Sequence, residues 1–526
     1  MSRLRRNRAF IIWAVVALLW ANLPYLIGYA SSTPQNRFGG FFLYEQDGYS
    51  YYAKMRQGAR GAWEFHLPYT SEDEYQGGGL ALMFYIVLGK FAPLGLSYPV
   101  LYHGARLLSS LLLLIVLAKF IMRFVADQRW QVWTWWLLLF SGGWGLLVST
   151  FINQKYVAYE LIAPDAFLFS VLYGPPHVMF GLALFLIWIG YTLDTLDDIA
   201  EAQRTSRWPW RRIFTANALG LLTALSREAY GPAFVGIFGA YLIAVMIQRR
   251  EMPWREGSLV ALSCLGAGLY GIYMLVAYRV IPAFNAWYQQ NPFASPDLTD
   301  FLGGFAPLLI LAMIGLWSAR NHVSRVTYHA SFLIAWLIAG PIMAYLPLAV
   351  SRRMIAGWQI PLCIFGTYAL LRLIDSQVPL RRTIALGALA LSAISTLIIV
   401  GMGLVFVSAP HPPLYQSADQ LATLDWLGHH TSDRDVVLAD WRFGNLVPVY
   451  ADARVFVGHP IETIGFKEKR AAVDRFFDPS TPEAGRQELI DRWRITLVVA
   501  STDRLALPRS QVIFKQGPLN IYQITP

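Results

Sequence analysis

The sequence predicts a polytopic α-helical membrane protein that carries a small α/β domain at its carboxyl end. Of the 526 residues, 56% are hydrophobic and only 14% are charged, whereas soluble domains carry about 25% charged residues. Uncharged apolar stretches of about 20 residues, the length that crosses a bilayer, recur before residue 410. After that residue the composition is that of a soluble protein. These observations exclude a soluble enzyme, a secreted disulfide scaffold and a disordered chain.

The amino-terminal segment predicts an uncleaved first membrane helix. An apolar run from Ala9 to about Ala30 follows a cluster of basic residues, Arg3, Arg5, Arg6 and Arg8. A signal peptide has similar flanks. The run is long for a signal peptide, however, and the chain after it is also apolar, so we expect a retained helix with its amino terminus in the cytoplasm.

The first outer loop, residues 31–79, is polar, aromatic and rich in glycine. The next stretch, 80–93, is apolar but too short to cross a hydrocarbon core of about 30 Å at 1.5 Å per residue. We therefore expect interfacial helices in the loop and a half-inserted helix after it.

Ten further spans bring the expected number of crossings to about eleven. Their approximate ranges are 98–124, 131–150, 175–195, 212–226, 231–248, 257–279, 302–319, 329–348, 354–374 and 384–408. Eighteen arginines fall on the amino-terminal tail and the predicted inner loops, whereas the short outer loops hold five basic residues: Lys155, Arg227, Arg279, Arg352 and Arg353. Positive charge favours the cytoplasmic side, so the carboxyl end is expected outside.

Residues 410–526 predict the extracytoplasmic α/β domain, and residues 1–409 the membrane domain. Helical spacing appears at 417–430 and 463–477, and buried-strand patterns appear at 435–439, 454–457, 496–501 and 521–524. Strands that alternate with helices are typical of a small α/β fold.

The first outer loop holds the leading candidates for catalysis, Glu45 and Asp47. A carboxylate can take the proton from an acceptor hydroxyl, and the neighbouring aromatic residues can cradle the face of a sugar. Tyr49, Tyr52 and Arg56 have the spacing of an amphipathic helix at a membrane surface. An interfacial aromatic belt with solvated charges is the competing interpretation.

The second outer loop adds Glu160, Asp165 and His177. His177 stands where a helix re-enters the membrane, and the positive end of the helix dipole there disfavours its protonation. A neutral histidine at this position can ligate a metal, bind a sugar or cap the helix, and the sequence leaves these alternatives open.

Arg352 and Arg353 break the positive-inside pattern at an outer helix end. Adjacent arginines suit a phosphate at headgroup depth through charge-assisted bidentate hydrogen bonds. Arg106, one or two turns into its helix from the outer side, is a similar candidate. Snorkelling toward lipid headgroups is the alternative. The neighbouring residues Arg227 and Glu228 are expected to form a structural ion pair.

Other motifs give little support to competing chemistries. Cys264 and Cys363 lie in apolar runs and are expected to pack in the core. HExxH, P-loop and GxSxG motifs do not occur, which argues against proteases and nucleotide-driven pumps. In the soluble part, His459 and Glu462 either bind acceptor or belong to a strand-to-helix turn with Thr463 as the N-cap.

The combined pattern resembles the GT-C superfamily of integral membrane glycosyltransferases. The similarity is to the branch that holds protein O-mannosyltransferases, the aminoarabinose transferase of lipid A and RgtA-like enzymes. It lies in the first helix, the acidic and aromatic first loop, the short helix after it, the run from Ala105-Arg106-Leu107 to Leu114, and the outer soluble domain.

The resemblance implies transfer of a sugar from a polyprenyl-phosphate donor to a saccharide, lipid or protein acceptor, with inversion, in the cell envelope. Asp47, with Glu45 as its competitor, takes the place of the family's first-loop acidic residue, acting as base or positioning a divalent ion. Arg352, Arg353 and Arg106 then bind the lipid phosphate. The expected contacts to sugar or acceptor come from Tyr49, Tyr52, Lys54, Arg56, Glu160, Asp165, His177, His459 and Glu462.

The resemblance leaves both the requirement for a metal and the type of function undetermined. Many relatives have an adjacent Asp-Glu pair, whereas Gln46 separates Glu45 from Asp47 here. No cofactor is implied with certainty; for Mg or Mn, the candidate ligands are Asp47, Asp165 and His177. The alternative functions are a transporter or flippase of lipid-linked saccharide, or an assembly protein without catalysis. Nucleic acid is not an expected partner.

Overall fold

A computed structural model describes residues 3–156, 158–201, 208–291, 295–320, 329–501, 507 and 509–525. Three of the arginines assigned to inner loops, Arg204, Arg207 and Arg325, lie outside the described residues. The sidedness predicted from the charge pattern stays a prediction.

The part of the chain before residue 409 is mainly helical, with three short strands, Asn36–Phe38, Phe65–His66 and Gly78–Gly79. Its α-helices are Arg3–Ala30, Glu45–Ala59, Met83–Gly89, Tyr98–Phe124, Gln128–Phe140, Gly145–Phe151, Tyr159–Ile162, Leu168–Tyr173, Pro176–Glu201, Trp210–Ser226, Tyr230–Arg249, Trp254–Ser263, Leu265–Val280, Pro282–Gln290, Leu298–Ala319, Ala330–Ala344, Gln359–Ile374 and Pro379–Ser408. Short 3-10 helices are Asp73–Tyr75, Ala92–Leu94, Pro164–Ala166 and Ser351–Ile355.

Within the described ranges, eight helices are long and apolar enough to cross a membrane, or nine if the bent pair Trp254–Ser263 and Leu265–Val280 is one span. This count is lower than the eleven expected. The difference comes from Trp210–Ser226, of 17 residues, and Ala330–Ala344, of 15 residues, both shorter than the about 20 residues that a span needs. The prediction of a multi-pass membrane protein with a short apolar helix near 80–93 is confirmed.

The carboxyl-terminal segment forms a five-stranded mixed sheet with four helices. The strand order is Arg454–Val455, Val436–Leu438, Leu497–Ser501, Leu519–Ile524, Ser510–Gln516. The first three strands are parallel and the last two pair antiparallel. The helices are Ala418–His430, Trp441–Tyr450, Phe466–Phe477 and Glu483–Trp493.

The predicted α/β organisation is confirmed, although three of the four predicted strands are shorter than expected and the last is longer. Four further elements were not anticipated: Tyr415–Ser417, Trp441–Tyr450, Glu483–Trp493 and Ser510–Gln516. The prediction that Thr463 is an N-cap is wrong. The helix begins at Phe466 after Gly465, whose φ of 68° favours glycine, and the Thr463 hydroxyl accepts a hydrogen bond from the Gly458 backbone N–H at 3.0 Å.

By their internal contacts the residues separate into two compact units. The first unit comprises Met1–Leu23, Gly104–Ile272 and Phe293–Gly403. The second comprises Pro24–His103, Tyr273–Pro292 and Leu404–Pro526. The second unit therefore joins the first outer loop to the carboxyl-terminal sheet. The predicted domain boundary between residues 409 and 410 stays a prediction, and the last stretch of the second unit begins at Leu404.

An aromatic core holds the first-loop helix in the second unit. Tyr49, Tyr52 and Met55 of the helix Glu45–Ala59 are buried in one cluster with Val447 and other residues of the carboxyl-terminal segment. Burying a large apolar side chain contributes about 1.5–3 kcal/mol. The aromatic face that was expected to lie at a membrane surface is instead part of this core.

Candidate functional site

The first-loop carboxylates lie at the beginning of a helix. Tyr44, which adopts a left-handed conformation with φ 53°, precedes the helix Glu45–Ala59, and both Glu45 and Asp47 occupy its first turn. Negative charge in a first turn is stabilised by the helix dipole.

Asp47 contacts a histidine from the carboxyl-terminal segment of the same unit. His459 Nε2 lies 2.9 Å from Asp47 Oδ1. The other ring nitrogen of His459, Nδ1, accepts the backbone N–H groups of Ile461 and Glu462, each at 3.2 Å. Because Nδ1 is an acceptor, the proton of the neutral ring must be on Nε2, which donates to Asp47.

Exposure differs sharply between these two partners. The His459 side chain is 3% exposed, whereas that of Asp47 is 38% exposed. A buried imidazole is thus fixed by three hydrogen bonds and orients a carboxylate that reaches solvent. This arrangement suits a carboxylate that accepts a proton from another molecule.

A buried ion pair lies about two turns further along the same helix. Lys54 Nζ is 2.7 Å from Glu462 Oε1, and the Lys54 side chain is entirely buried. Ser50 donates to the same carboxylate oxygen at 2.6 Å, and Lys54 Nζ also contacts the Ser50 hydroxyl. We call Asp47, Ser50, Lys54, His459 and Glu462 the first-loop cluster.

The ion pair determines the protonation of Glu462. Burial by itself would raise the pKa of the Glu462 carboxyl, but the Lys54 ammonium, His459 and hydrogen bonds from Lys54 and Ser50 outweigh it and lower that pKa below its ordinary value. The burial of Lys54 and Glu462 favours a structural role over the predicted contact with sugar or acceptor.

The other candidates of the first loop are also engaged within the second unit. Gln416 donates to the Tyr49 hydroxyl, and Tyr52 packs against Phe41 with ring centroids 4.8 Å apart. Arg56 forms an ion pair with Asp452 at 2.9 Å. These contacts connect the first loop to the carboxyl-terminal segment, and they favour support of the site over direct contact with a substrate.

Two of the three candidates of the second outer loop, Asp165 and His177, meet around Arg227 in the first unit. Arg227 donates to Asp165 Oδ2 at 2.5 Å and lies 3.1 Å from His177 Nε2. Tyr230 donates to Asp165 Oδ1 at 3.4 Å. Guanidinium groups only donate, so His177 Nε2 accepts and carries no proton. We call Asp165, His177, Arg227 and Tyr230 the second-loop cluster.

One of the three arginines assigned to lipid phosphate approaches Glu228, the neighbour of Arg227 in the sequence. Arg352 and Arg353 form part of the 3-10 helix Ser351–Ile355. Arg353 lies 3.9 Å from the carboxylate of Glu228. Arg227 thus binds Asp165 and Glu228 faces Arg353, partners that differ from the ones expected from the sequence.

Arg106 has a different environment from the other two arginines. It is 2% exposed and donates to the backbone oxygens of Gly174 at 3.1 Å and Leu172 at 3.4 Å. Its guanidinium also donates to Asn22 at 3.4 Å. These contacts hold the turn that precedes the helix Pro176–Glu201, which favours a structural role over phosphate binding.

Glu160 is a buried carboxyl in the short helix Tyr159–Ile162. Its Oε1 accepts from the Leu146 backbone at 3.3 Å, whereas its Oε2 is buried and has no hydrogen-bond partner among the described residues. Burial raises the pKa of Glu160 above its ordinary value. The neutral acid is therefore favoured relative to an exposed glutamate.

The metal ligands considered from the sequence are not brought together within either unit. Asp47 contacts His459, while Asp165 and His177 share Arg227 as their partner. A guanidinium between two ligands takes the place that a cation would need. Among the described residues, no three His, Cys, Asp or Glu side chains form a group that could hold a metal ion. The requirement for a divalent metal therefore stays a prediction.

Sequence reasoning missed the partners that organise these clusters. The sequence predicts Glu228, the next residue, as the partner of Arg227, and no pattern in it connects Arg227 to Asp165. The link from His459 to Asp47 spans 412 positions. The tripeptide Asp440-Trp441-Arg442 follows a predicted strand. Because residues at the carboxyl ends of parallel strands commonly contact a ligand, this position could have indicated a binding site in the carboxyl-terminal segment.

Comparison with solved structures identifies the fold. The apo crystal structure of the Archaeoglobus fulgidus oligosaccharyltransferase matches with a TM-score of 0.61 and 15% identity, covering 95% of this chain and 70% of that one. AglB from the same organism, in complex with an inhibitory peptide and a dolichol-phosphate, matches with a TM-score of 0.56, 15% identity and coverage of 95% and 70%.

A third match is weaker. ArnT from Cupriavidus metallidurans bound to undecaprenyl phosphate has a TM-score of 0.48 and 14% identity, with coverage of 96% of this chain and 97% of that one. Neither a protein-family model nor a curated protein matches the sequence. The chain is thus a multi-pass membrane protein whose fold is similar to that of the archaeal oligosaccharyltransferase, which agrees with the fold that the sequence pattern predicted.

Proposed function

We propose that the chain is a membrane glycosyltransferase that moves a sugar from a polyprenyl-phosphate donor to an acceptor on the extracytoplasmic side. The fold supports this proposal, because the archaeal oligosaccharyltransferase with which it is shared is described in complex with a dolichol-phosphate. The observation that carries the proposal is the pairing of the half-exposed Asp47 with the buried His459.

Asp47 is the base in the proposed reaction. The imidazole N–H of His459 binds Oδ1 at 2.9 Å and fixes the orientation of the carboxylate. Asp47 takes the proton of the acceptor hydroxyl as the acceptor oxygen forms a bond to the anomeric carbon of the donor. The bond between that carbon and the phosphate oxygen breaks on the opposite face, so the configuration inverts.

Arg352 and Arg353 act on the leaving group in the proposed reaction. The polyprenyl phosphate takes the electron pair of the broken bond, and its negative charge grows as the sugar departs. Two adjacent guanidinium groups bind such an oxyanion by charge-assisted hydrogen bonds. We assign Arg106 to support of the protein structure because its guanidinium is already bound by backbone oxygens.

The second-loop cluster holds the loop that contains Asp165 in place. Asp165 is 1% exposed and pairs with Arg227, so its charge is neutralised inside the first unit. Its proposed role is to fix Arg227 and, through it, the neutral His177. Contact of His177 or Glu160 with the sugar stays a prediction.

The test is a transfer assay on the full chain in lipid nanodiscs. A panel of radiolabelled polyprenyl-phosphate sugars is supplied, and release of label to water or to added acceptors is followed. We expect one donor to turn over and the label to leave the lipid phase. Tight donor binding without release from any member of the panel would contradict the transferase and favour a flippase or an assembly protein.

A further inference from the structure

The second unit contains a large cavity that does not include the first-loop cluster. Its volume is about 630 Å³, within the range of about 300–1,000 Å³ that is common for ligand pockets. It lies at the carboxyl ends of the parallel strands Val436–Leu438 and Leu497–Ser501, since Asp440 and Ser501 are part of its wall. Ligands of open α/β sheets bind at this edge.

The charged residues of the cavity are mainly acidic. Four carboxylates, those of Glu45, Asp440, Asp474 and Asp478, face one guanidinium, that of Arg442. They come from three different elements: the first-loop helix, the segment that begins the helix Trp441–Tyr450, and the end of the helix Phe466–Phe477. A ligand in this space meets negative charge on several sides.

A buried acceptor in the wall gives a second, independent indication of a ligand. Asn445 lines the cavity and is 2% exposed. Its amide nitrogen donates to the Gln46 backbone oxygen at 3.2 Å, which fixes the orientation of the amide. Its Oδ1 is buried and accepts no hydrogen bond from any residue that the structure describes. Such an acceptor is unfavourable unless a bound donor satisfies it.

The wall also offers aromatic and apolar surface. Tyr49, Trp441, Phe443 and Phe477 all contribute to it. Aromatic rings beside hydrogen-bond acceptors on several walls suit a sugar, whose hydroxyl groups donate in several directions and whose ring faces are apolar. A single ammonium on a flexible chain would satisfy the acceptors of one wall only.

We propose that this cavity is a binding site for an aminated saccharide. Amino groups of the ligand meet the four carboxylates, a hydroxyl or amino group donates to Asn445 Oδ1, and the ring packs against the aromatic side chains. The proposal concerns binding alone, so it stands whether or not sugar transfer is observed.

The test is calorimetric titration of the full chain in nanodiscs with two matched probes. One is the β-1,4-linked dimer of glucosamine, which carries two amines, and the other is its N-acetylated, uncharged form. We expect the amine dimer to bind about tenfold more tightly than the acetylated dimer, because the two sugars differ in charge and not in their ring skeleton.

Two variants test whether the difference in affinity between the two dimers arises in this cavity. Asp440→Asn combined with Asp474→Asn removes two exposed carboxylates while keeping side-chain shape, and we expect it to weaken binding of the amine dimer by about five- to tenfold. Glu488→Gln removes an exposed carboxylate from the helix Glu483–Trp493 and serves as the matched control, with no change expected.

Three results with the two dimers would overturn the proposal. These are equal affinity for the two dimers, absence of binding by the amine dimer, and an unchanged affinity in the Asp440→Asn, Asp474→Asn variant. Trilysine is titrated as a third probe. Binding of trilysine as tight as that of the amine dimer would show recognition of positive charge in a peptide and would also contradict an aminated saccharide as the ligand.

Discussion

His459 Nε2 donates a hydrogen bond to Asp47 Oδ1 across 2.9 Å, while His459 Nδ1 is held by two backbone N–H groups. The histidine therefore has one orientation and one tautomer, and its hydrogen bond orients the Asp47 carboxylate. A base on a flexible loop would lose effectiveness, because proton transfer requires hydrogen-bond geometry. The pairing gives the first-loop carboxylate a defined direction.

Loss of His459 is expected to affect the rate of transfer more than donor affinity. Replacing it by alanine leaves Asp47 without its orienting donor, and we expect kcat to fall about 10- to 100-fold with the donor KM within threefold. His459→Gln offers an amide N–H to the same oxygen and should recover part of the loss. Steady-state kinetics of both variants checks this. Equal kcat in the alanine and glutamine variants would argue that the histidine only packs.

The two first-loop carboxylates should be separable by kinetics. Glu45 lines the large cavity, whereas Asp47 contacts His459. We expect Glu45→Gln to lower kcat much less than Asp47→Asn does, because only Asp47 is the proposed base. Complete loss of kcat in Glu45→Gln, with activity retained in Asp47→Asn, would reverse the assignment.

Removing either outer arginine should weaken donor binding. We expect Arg352→Ala and Arg353→Ala to raise the donor KM about tenfold or more, since each removes a charge-assisted contact to the lipid phosphate. Arg250→Ala, at the end of the helix Tyr230–Arg249, is the matched control. Titration of undecaprenyl phosphate measures the effect, and an affinity equal to that of the control would exclude these arginines from phosphate binding.

The buried pair of Lys54 and Glu462 predicts a stability effect that depends on pH. The pKa of Glu462 is lower in the folded chain than its ordinary value of about 4.3. The ionised carboxyl therefore stabilises the fold above that pH, and the stabilisation is lost as the pH falls through the lowered pKa. Glu462→Gln leaves Lys54 buried without its counter-ion, which costs about 3–5 kcal/mol at neutral pH.

Thermal unfolding in detergent, followed by tryptophan fluorescence, tests this effect. The gap in unfolding temperature between the wild type and Glu462→Gln should be largest near pH 7 and should shrink below about pH 4. A gap that is constant from pH 7 to pH 3 would show that the pair contributes through packing rather than through charge.

The second-loop cluster predicts a compensating double variant. Arg227→Met leaves the buried Asp165 carboxylate without a cation, and we expect a loss of about 3–5 kcal/mol in stability. Adding Asp165→Asn removes the uncompensated charge and should recover most of that loss. The unfolding temperatures of the three variants check this. Additive losses in the double variant would contradict a shared ion pair.

The fold could be predicted from the sequence because the patterns that identify its helices and strands are local. Apolar runs such as Ala9–Ala30 and alternating patterns such as 435–439 identify helices and strands within a short window. The length threshold failed at Ala330–Ala344, where apolar composition continues past the end of the helix. Residues 345–350 contain Pro347 and form no helix.

The candidate site could be predicted from the sequence only in part. Its carboxylates were recognised because Glu45 and Asp47 follow the first helix in an aromatic loop. Their partners were not, because His459 meets Asp47 only after the chain has folded, and Asp165 lies 62 positions from Arg227. Burial separated Lys54 and Arg106 from the exposed candidates, and no local pattern predicts that a lysine will be entirely buried.

The most direct test of the account is a single-turnover measurement on wild type and Asp47→Asn with the same amount of bound, radiolabelled donor. The account predicts that the wild type passes the label to acceptor or water, and that Asp47→Asn binds the donor equally well but transfers about 10²–10⁴-fold more slowly. Transfer by Asp47→Asn at the wild-type rate would contradict the central claim.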